Sequence, residues 1–417
     1  MTELQSERKN GKWDRFWSPF IEGLAVFKDP LAHSTHIIAY WTRDQVKALC
    51  LYTNSEERRV TRNVVWHYYI VIQLAVSLAS MCYGVLESID NIAILGRDLV
   101  FIISVIFIFF RLIFFAQYAN DVDAVIDALD DIHHCETKGP GRKEVQATKR
   151  FHFLLYMALI VAWFTFLVSF ILIKISTPFW MESVTLPFHV AWPFHLHDPS
   201  KHPIAYCLIF VSQSTTLTYF LVWLGAVENM AVSIFFELTS SLRVLCIELR
   251  SLQEHCHGDE SLLERELHRL TKFHQRIILL SDHCNNIFNR TFIMQMLVNF
   301  FLVSLSLFEV LVARKNPQVA AEYLIIMLMT LGHLSFWSKF GDMLSEESAE
   351  VAEAVYEAYD PTVGSINIHQ HFRFFILRAQ KPLIMRASPF PPFNLVNYMF
   401  ILKQCYSILT VLSGTLE

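Results

Sequence analysis

Seven apolar stretches of about 20 to 24 residues dominate this sequence, at 64–86, 99–118, 151–173, 204–226, 291–312, 320–341 and 393–416. A helix rises about 1.5 Å per residue, so roughly 20 residues cross the hydrocarbon core of a bilayer. Lipid offers no partner for a backbone N–H or C=O, so a lone crossing segment of this kind is a helix. Length alone would suggest two or three soluble domains, but composition overrules it. Hydrophobic residues are 53%, Phe alone numbers 35, and charged residues are 18%, against about 25% in an ordinary globular chain. The fold class expected is an all-α membrane protein with seven transmembrane helices. Ser212, Gln213, Ser214, Thr215 and Thr216 dilute the fourth stretch, and the second carries Arg111.

Lys and Arg in the connections set the orientation. The N-terminal segment holds ten, 119–150 five, 227–290 seven and 342–392 four. The opposite side has only Arg97, Lys201, Arg314 and Lys315, a ratio of 26 to 4. Positive charge stays cytoplasmic, so the N-terminus is expected inside and the C-terminus outside. No signal peptide heads the chain, and the first span must itself direct insertion. The sequon Asn289-Arg-Thr291 falls on the cytoplasmic side of this topology, out of reach of glycosylation. The chain then divides into a cytoplasmic segment (1–63), spans 1–4 (64–226), a cytoplasmic connection (227–290), spans 5–6 (291–341), a connection with a basic helix (342–392) and the last span (393–417).

The inner connections carry helical periodicity. Ile234, Leu238, Leu242, Leu245, Leu249 and Leu252 recur on one face, with Glu237, Arg243, Glu248 and Arg250 between them. His257-Gly-Asp-Glu260 breaks the pattern, and Ser261 with Glu264 reads as a capping box for a helix from Leu262 to about Phe288. Glu347–Tyr359 continues span 6 in the same way. Helices 4–6 are therefore expected to extend into a cytoplasmic anchor bundle.

The last span is not uniformly greasy. On a helical wheel Asn397, Gln404, Ser407, Gly414 and Thr415 share a stripe with Phe400, Ile408 and Val411. A half-polar stripe is what a pore-lining helix looks like. Eight scattered cysteines without a CxxC pair fit buried small hydrophobes better than disulfides or zinc. His133-His-Cys135 and His255-Cys-His257 lack a second ligand cluster, so no metal is expected. There is no nucleophile elbow, phosphate-cradling loop or HExxH, and no catalytic residue or cofactor is implied. A net charge of −5 points to no nucleic acid.

Four segments carry a resemblance. The tail Ile376-Leu-Arg-Ala-Gln-Lys-Pro-Leu-Ile-Met-Arg-Ala387, followed by Phe393-Asn-Leu and Phe400 to Leu412, resembles the C-terminal signature of insect odorant receptors. Leu186-Pro-Phe-His-Val-Ala-Trp-Pro193 is similar to that family's extracellular loop. Leu267–His274 with Ile277-Ile-Leu resembles the approach to its fifth span, and Ala352-Glu-Ala-Val-Tyr356 the inner end of its sixth. The likeness runs from span 1 onward; the first 60 residues add little. It implies an odor-tuning subunit of a heterotetrameric, odorant-gated, non-selective cation channel, built with the shared odorant receptor co-receptor. The setting implied is the plasma membrane of a sensory neuron dendrite. The chain lacks both the co-receptor's long 4–5 insertion and the Thr-Tyr-x5-Gln-Phe ending of gustatory receptors.

By that resemblance Val411 matches the gate, where a ring of apolar side chains closes a pore by dewetting. Gln404, Ser407 and Ile408 would line the pore, and Gly414 and Thr415 its outer mouth; helix packing is the plain alternative for Val411. The resemblance places the pocket for a small volatile ligand in the outer half of spans 2, 3, 4 and 6. There the candidates are Phe101, Ser104, Trp163, Phe166, Phe170, Tyr206, Phe210, Gln213, Thr216 and Met327, set against ordinary core or lipid contact. Gln213 and Thr216 stand out, because polar groups within a span face protein or a cavity. Arg111 is expected to snorkel to the inner interface, with a structural ion pair as the alternative, and Glu228 to lie on a solvated or intersubunit face.

Two other classes remain. A G-protein-coupled receptor has seven spans in the opposite orientation. A transporter would show an inverted repeat with broken helices, and none is visible. Epitope tags on the two chain ends separate the first from a channel: on intact cells only the C-terminal tag is expected to label, and N-terminal labelling would exclude the channel topology.

Overall fold

Each of the seven apolar stretches lies within one helix, apart from the outermost residues of the last. The computed structural model describes residues 38–89, 92–134, 142–180, 186–313 and 317–414. Its helices are α1 (Ile38–Ala48), α2 (Thr61–Ser88), α3 (Ile92–His134), α4 (Arg142–Trp180), α5 (Pro203–Arg250), α6 (Leu252–Cys256), α7 (Glu260–Val312), α8 (Pro317–Glu357), α9 (Ile366–Ala379) and α10 (Leu395–Gly414). No strand occurs among the described residues. Helices α2, α3, α4, α5, α7 and α8 are long and apolar enough to cross a membrane. The seventh, α10, has 20 residues and is about 30 Å long at helical rise, the thickness of a hydrocarbon core. Rows of apolar side chains face outward at helical spacing: Val65, Tyr68, Ile72 and Val76 on α2, Val161, Val168 and Leu172 on α4, and Ile204, Leu208 and Val211 on α5. Lipid, not water, is the solvent that such rows match.

Helices α5, α7 and α8 run 48, 53 and 41 residues, well beyond a bilayer's span. Their extensions pack together at one end of the molecule. All six residues of the stripe from Ile234 to Leu252 are buried there. Leu263, Leu267, Leu270 and Ile277 meet them from α7, and Val351, Ala354 and Val355 from α8. Ion pairs edge this core: Arg243–Glu347 at 3.4 Å, Arg250–Glu357 at 2.7 Å and Arg269–Glu248 at 2.8 Å. Helix α9 adds Ile368, Phe372 and Phe375 to the same core.

The connection between α5 and α7 departs from expectation in detail. After α6 the chain reverses through His257 and Gly258, both at positive φ. The N-cap of α7 is Asp259, not Ser261: its carboxylate accepts from the amides of Ser261 (2.9 Å) and Leu262 (3.3 Å). An aspartate there answers two unpaired amides with a full charge. The Ser261 hydroxyl and these amides hold the Asp259 carboxyl below the usual carboxylate range.

Two features of the bundle were not foreseen. Helix α3 continues to His134, well past its apolar stretch, so it too belongs to the extension, burying Val122, Val125, Ile126 and Leu129. Helix α1 docks on it. Tyr40 donates to Asp127 at 2.6 Å, and Asp123 accepts from Tyr52 (2.8 Å) and Asn54 (2.7 Å). On its other side Thr42 meets Ser233 of α5 at 2.9 Å. The sequon is helical, and Thr291 is fully buried, so its position does not bear on orientation. Cys82 and Cys207 are exposed, unlike Cys246, Cys256, Cys284 and Cys405.

Helix α10 runs beside α7 in the same direction: Phe292 packs on Phe393 at 5.3 Å, and the Cys405 thiol lies 3.8 Å from the Phe300 carbonyl. Its root presses on α8 at Gly341, where an added Cβ would fall 1.9 Å from the Phe393 carbonyl oxygen. Backbone cannot yield there, so Gly341→Ala is expected to cost about 1–3 kcal/mol by overpacking. The melting temperature of the detergent-solubilised protein checks this. Gly332→Ala, with nothing within 4 Å, is the control that should not fall.

Candidate functional site

In the half of the bundle away from the extensions, α2, α3, α4, α5, α7 and α8 enclose a cavity of about 390 Å³. Its size and apolar walls suit a small organic molecule. Six of the ten pocket residues expected from sequence line it: Phe101, Ser104, Trp163, Phe170, Gln213 and Thr216. Four do not. Phe166 is 48% exposed, because Trp163, Leu167 and Phe170 take the inward face of α4 and leave it outside. Met327 is likewise out of phase with Ile326, Met329 and Thr330 on α8, and Tyr206 and Phe210 lie off the lining face of α5.

The structure adds walls that sequence reasoning left out. Helix α2 contributes Gln73, Leu74, Ser77 and Met81, and α7 contributes Val298, Asn299 and Leu302. The loop 186–193 folds back as a cover, placing Phe188, Val190 and Trp192 on the cavity. Phe188 packs edge-on against Phe101 at 5.1 Å, and its amide donates to Gln213 Oε1 at 3.1 Å. The Ala191 amide donates to the Ser80 carbonyl at 3.2 Å, and His189 Nδ1 lies 2.9 Å from Asp98. The side-chain oxygen of Gln213 therefore holds the cover. Thr216 accepts from Gln73 Nε2 at 2.7 Å, joining α2 to α5. The Trp163 indole nitrogen and the Asn299 amide nitrogen are buried donors with no partner among the described residues. With the Trp192 indole nitrogen on the cover, they are polar groups on this wall free to meet a guest.

Beneath the cavity lies a buried charge cluster. Arg111 and Glu228, 1% and 3% exposed, form an ion pair. Arg111 also donates to Gln295 Oε1 at 2.9 Å and lies 5.1 Å over the Phe107 ring. Glu228 accepts from the Trp337 indole at 3.0 Å, and His333 Nε2 stands 3.5 Å from it. This overturns the expectation that Arg111 snorkels and that Glu228 is solvated. The side chains of α3, α5, α7 and α8 close over both groups before either can reach an interface. A buried pair is the one arrangement that avoids an isolated charge in a low-dielectric interior.

Helix α10 is attached along one edge. Phe393, Cys405 and Leu409 are buried against α7 and α8, whereas Phe400, Gln404, Ser407 and Val411 are exposed on one face. Ile408 is half-buried, and Asn397 turns its amide to the Pro392 carbonyl at 2.7 Å. Gly414 ends the helix. Thr415 lies outside the described residues, as do the side chains of His133, His134 and Cys135.

The sequence profile of the 7tm Odorant receptor family matches residues 91–406. Odorant receptor 65a of Drosophila melanogaster is 74% identical over 417 residues, all of both chains. The chain belongs to the insect odorant receptor family. Odorant receptor 47b of the same fly is 29% identical, over 90% of this receptor and 91% of its own length. Among solved structures, the insect olfactory receptor OR5 from Machilis hrabei in complex with eugenol superposes with a TM-score of 0.76. It matches 90% of this receptor and 99% of its own chain at 12% identity, so the likeness is one of fold.

Within the receptor, Glu228 touches groups from two other helices, Arg111 of α3 and His333 and Trp337 of α8, so either half of the ion pair is costly to remove alone. Arg111→Leu or Glu228→Leu is expected to destabilise by about 3–5 kcal/mol. The double substitution, which leaves no unpaired charge, should recover much of the loss. Melting of the detergent-solubilised receptor decides this; single variants that melt like the wild type would show the pair to be dispensable.

Proposed function

We propose that this receptor is the odor-tuning subunit of a heterotetrameric, odorant-gated, non-selective cation channel. The shared odorant receptor co-receptor supplies the other subunits. It resides in the plasma membrane of a sensory neuron dendrite, N-terminus inside. The observation that carries this reading is the state of α10. A terminal helix of hydrocarbon length is held by one edge and leaves a face of Phe400, Gln404, Ser407 and Val411 uncovered, with Val411 68% exposed. Mixed polarity on an uncovered face suits a water-filled lumen shared with other subunits, since a polar group facing lipid is unfavourable. Val411 closes the lumen when equivalent side chains meet and expel water. Ile408 flanks the gate, and Gly414 with Thr415 forms the outer mouth.

The cavity takes the odorant. OR5 was solved with eugenol, a small volatile phenol, and a molecule of that order fits about 390 Å³. Phe101, Ser104, Trp163, Phe170, Gln213 and Thr216 form the wall on which the ligand is chosen. Binding opens the pore only by as much as the ligand prefers the open arrangement over the closed one.

The two assignments separate in whole-cell recordings from cells expressing the receptor with its co-receptor. Ser104→Phe, which fills the cavity, is expected to raise the half-maximal odorant concentration at least tenfold, about 1.4 kcal/mol. Val411→Ala is expected to raise basal current at unchanged surface expression. Currents unaltered by Val411→Ala would remove the gate from this position.

A further inference from the structure

A run of side chains joins the cavity to the terminal helix. His333 lines the cavity, and its ring stacks on Trp163 at 5.1 Å with an interplanar angle of 24°. One turn along α8, Trp337 is fully buried and is not part of the cavity wall. Its indole N–H is shared between two acceptors, Glu228 Oε2 at 3.0 Å and His333 Nε2 at 3.2 Å. Asn299 Oδ1, at 3.4 Å, accepts from His333 Nδ1, which leaves Nε2 its lone pair. Glu228 is fixed by Arg111, and Arg111 by Gln295, so one of the two acceptors cannot move. The other sits on a ring that a guest in the cavity would touch.

The far side of Trp337 faces the root of α10. Its ring lies 5.3 Å from Phe292 and 6.3 Å from Phe393, and those two rings pack at 5.3 Å. Phe393, 2% exposed, precedes α10, and its carbonyl bears on Gly341 four residues beyond Trp337. Interiors packed at crystal density do not absorb a ring tilt; the neighbour moves instead.

We propose that Trp337 is the positioning residue that couples the cavity to the pore helix, its indole N–H divided between a fixed carboxylate and a ligand-sensitive imidazole. With the cavity empty the bifurcated bond holds the ring in one tilt. An odorant that displaces the Trp163–His333 stack withdraws His333 Nε2, and the N–H passes wholly to Glu228. The ring then turns against Phe393, and the root of α10 follows. Two discrete hydrogen-bond states, each biased from one end, constitute a switch and not merely a contact path. This coupling rests on the reading of the receptor as a ligand-gated channel.

Trp337→Phe tests it: the ring contacts with Phe292 and Phe393 remain, and the shared N–H is gone. Wild type and variant are expressed with the co-receptor. Both are challenged with the strongest wild-type agonist from a panel of volatile esters, ketones, alcohols and phenols that includes eugenol. Maximal current per surface receptor is expected to fall at least fivefold in the variant. Ser104→Phe is read separately, by its shift of the half-maximal concentration. Should Trp337→Phe not reach the surface, Phe393→Leu, which leaves the Glu228 cluster intact, decides by the same criterion. Wild-type maxima in whichever variant reaches the surface overturn the coupling. A wild-type receptor that passes no current to any member of the panel overturns the channel reading itself.

Discussion

The ion pair between Arg111 and Glu228 fixes the centre of this receptor. A charge inside a membrane-crossing bundle is tolerated only with a partner at hand, and here the partners arrive on different helices. Arg111 comes from α3, Glu228 from α5, Gln295 from α7 and Trp337 from α8. Apolar ridges between helices can slide by a methyl group at little cost, and lipid tails are as apolar as leucine. A guanidinium that must meet one carboxylate cannot slide. The pair therefore fixes the relative register of four helices, and the cavity above and the root of α10 below inherit that register.

On either side of this centre the helices do different work. In the extensions, leucines at helical spacing meet in a water-excluded core edged by ion pairs, an arrangement of soluble bundles. Contacts there are numerous and close, and α1, α3 and α9 add to them. In the other half the same helices, with α2 and α4, surround a cavity, covered on one side by the loop 186–193. That loop is held by Gln213, Ser80 and the Asp98–His189 contact. A rigid base and a looser chamber are what a receptor needs if small molecules are to change the spacing of its helices without dissolving the assembly. Helix α10 belongs to neither half. Seated at its root by Phe393 and Gly341, it is gripped along one edge only and can respond to movement of α8.

Much of this was legible before any coordinates. The apolar stretches marked the membrane helices because a buried backbone in lipid has no other solution. The stripe from Ile234 to Leu252 announced a buried face because its period is that of a helix. Other features were hidden for definite reasons. The extension of α3 is interrupted by Asp121, Asp123 and Asp127, and reads as a loop unless Val122, Val125, Ile126 and Leu129 are recognised as one side of a helix. Asp259 outcompeted Ser261 as a cap because its carboxylate reaches two amides from two residues earlier. The resemblance placed Phe166 and Met327 at the pocket by span and depth; one residue of helical phase, about 100°, turns them off the cavity wall.

The sequence by itself determined that the chain is a bundle of membrane-crossing helices with amphipathic helical connections and a last helix of mixed polarity. These follow from hydropathy, charge and period, which act along the chain and need no neighbour. Only the tertiary structure decided that Arg111 is buried on Glu228, that a loop closes the cavity, and that Trp337 stands between His333 and Phe393. Each is a meeting of residues more than a hundred positions apart, or of side chains whose direction is set by the rotation of a helix about its axis. Rotation is chosen by what packs against the helix, and a single chain read in order carries no direct record of it.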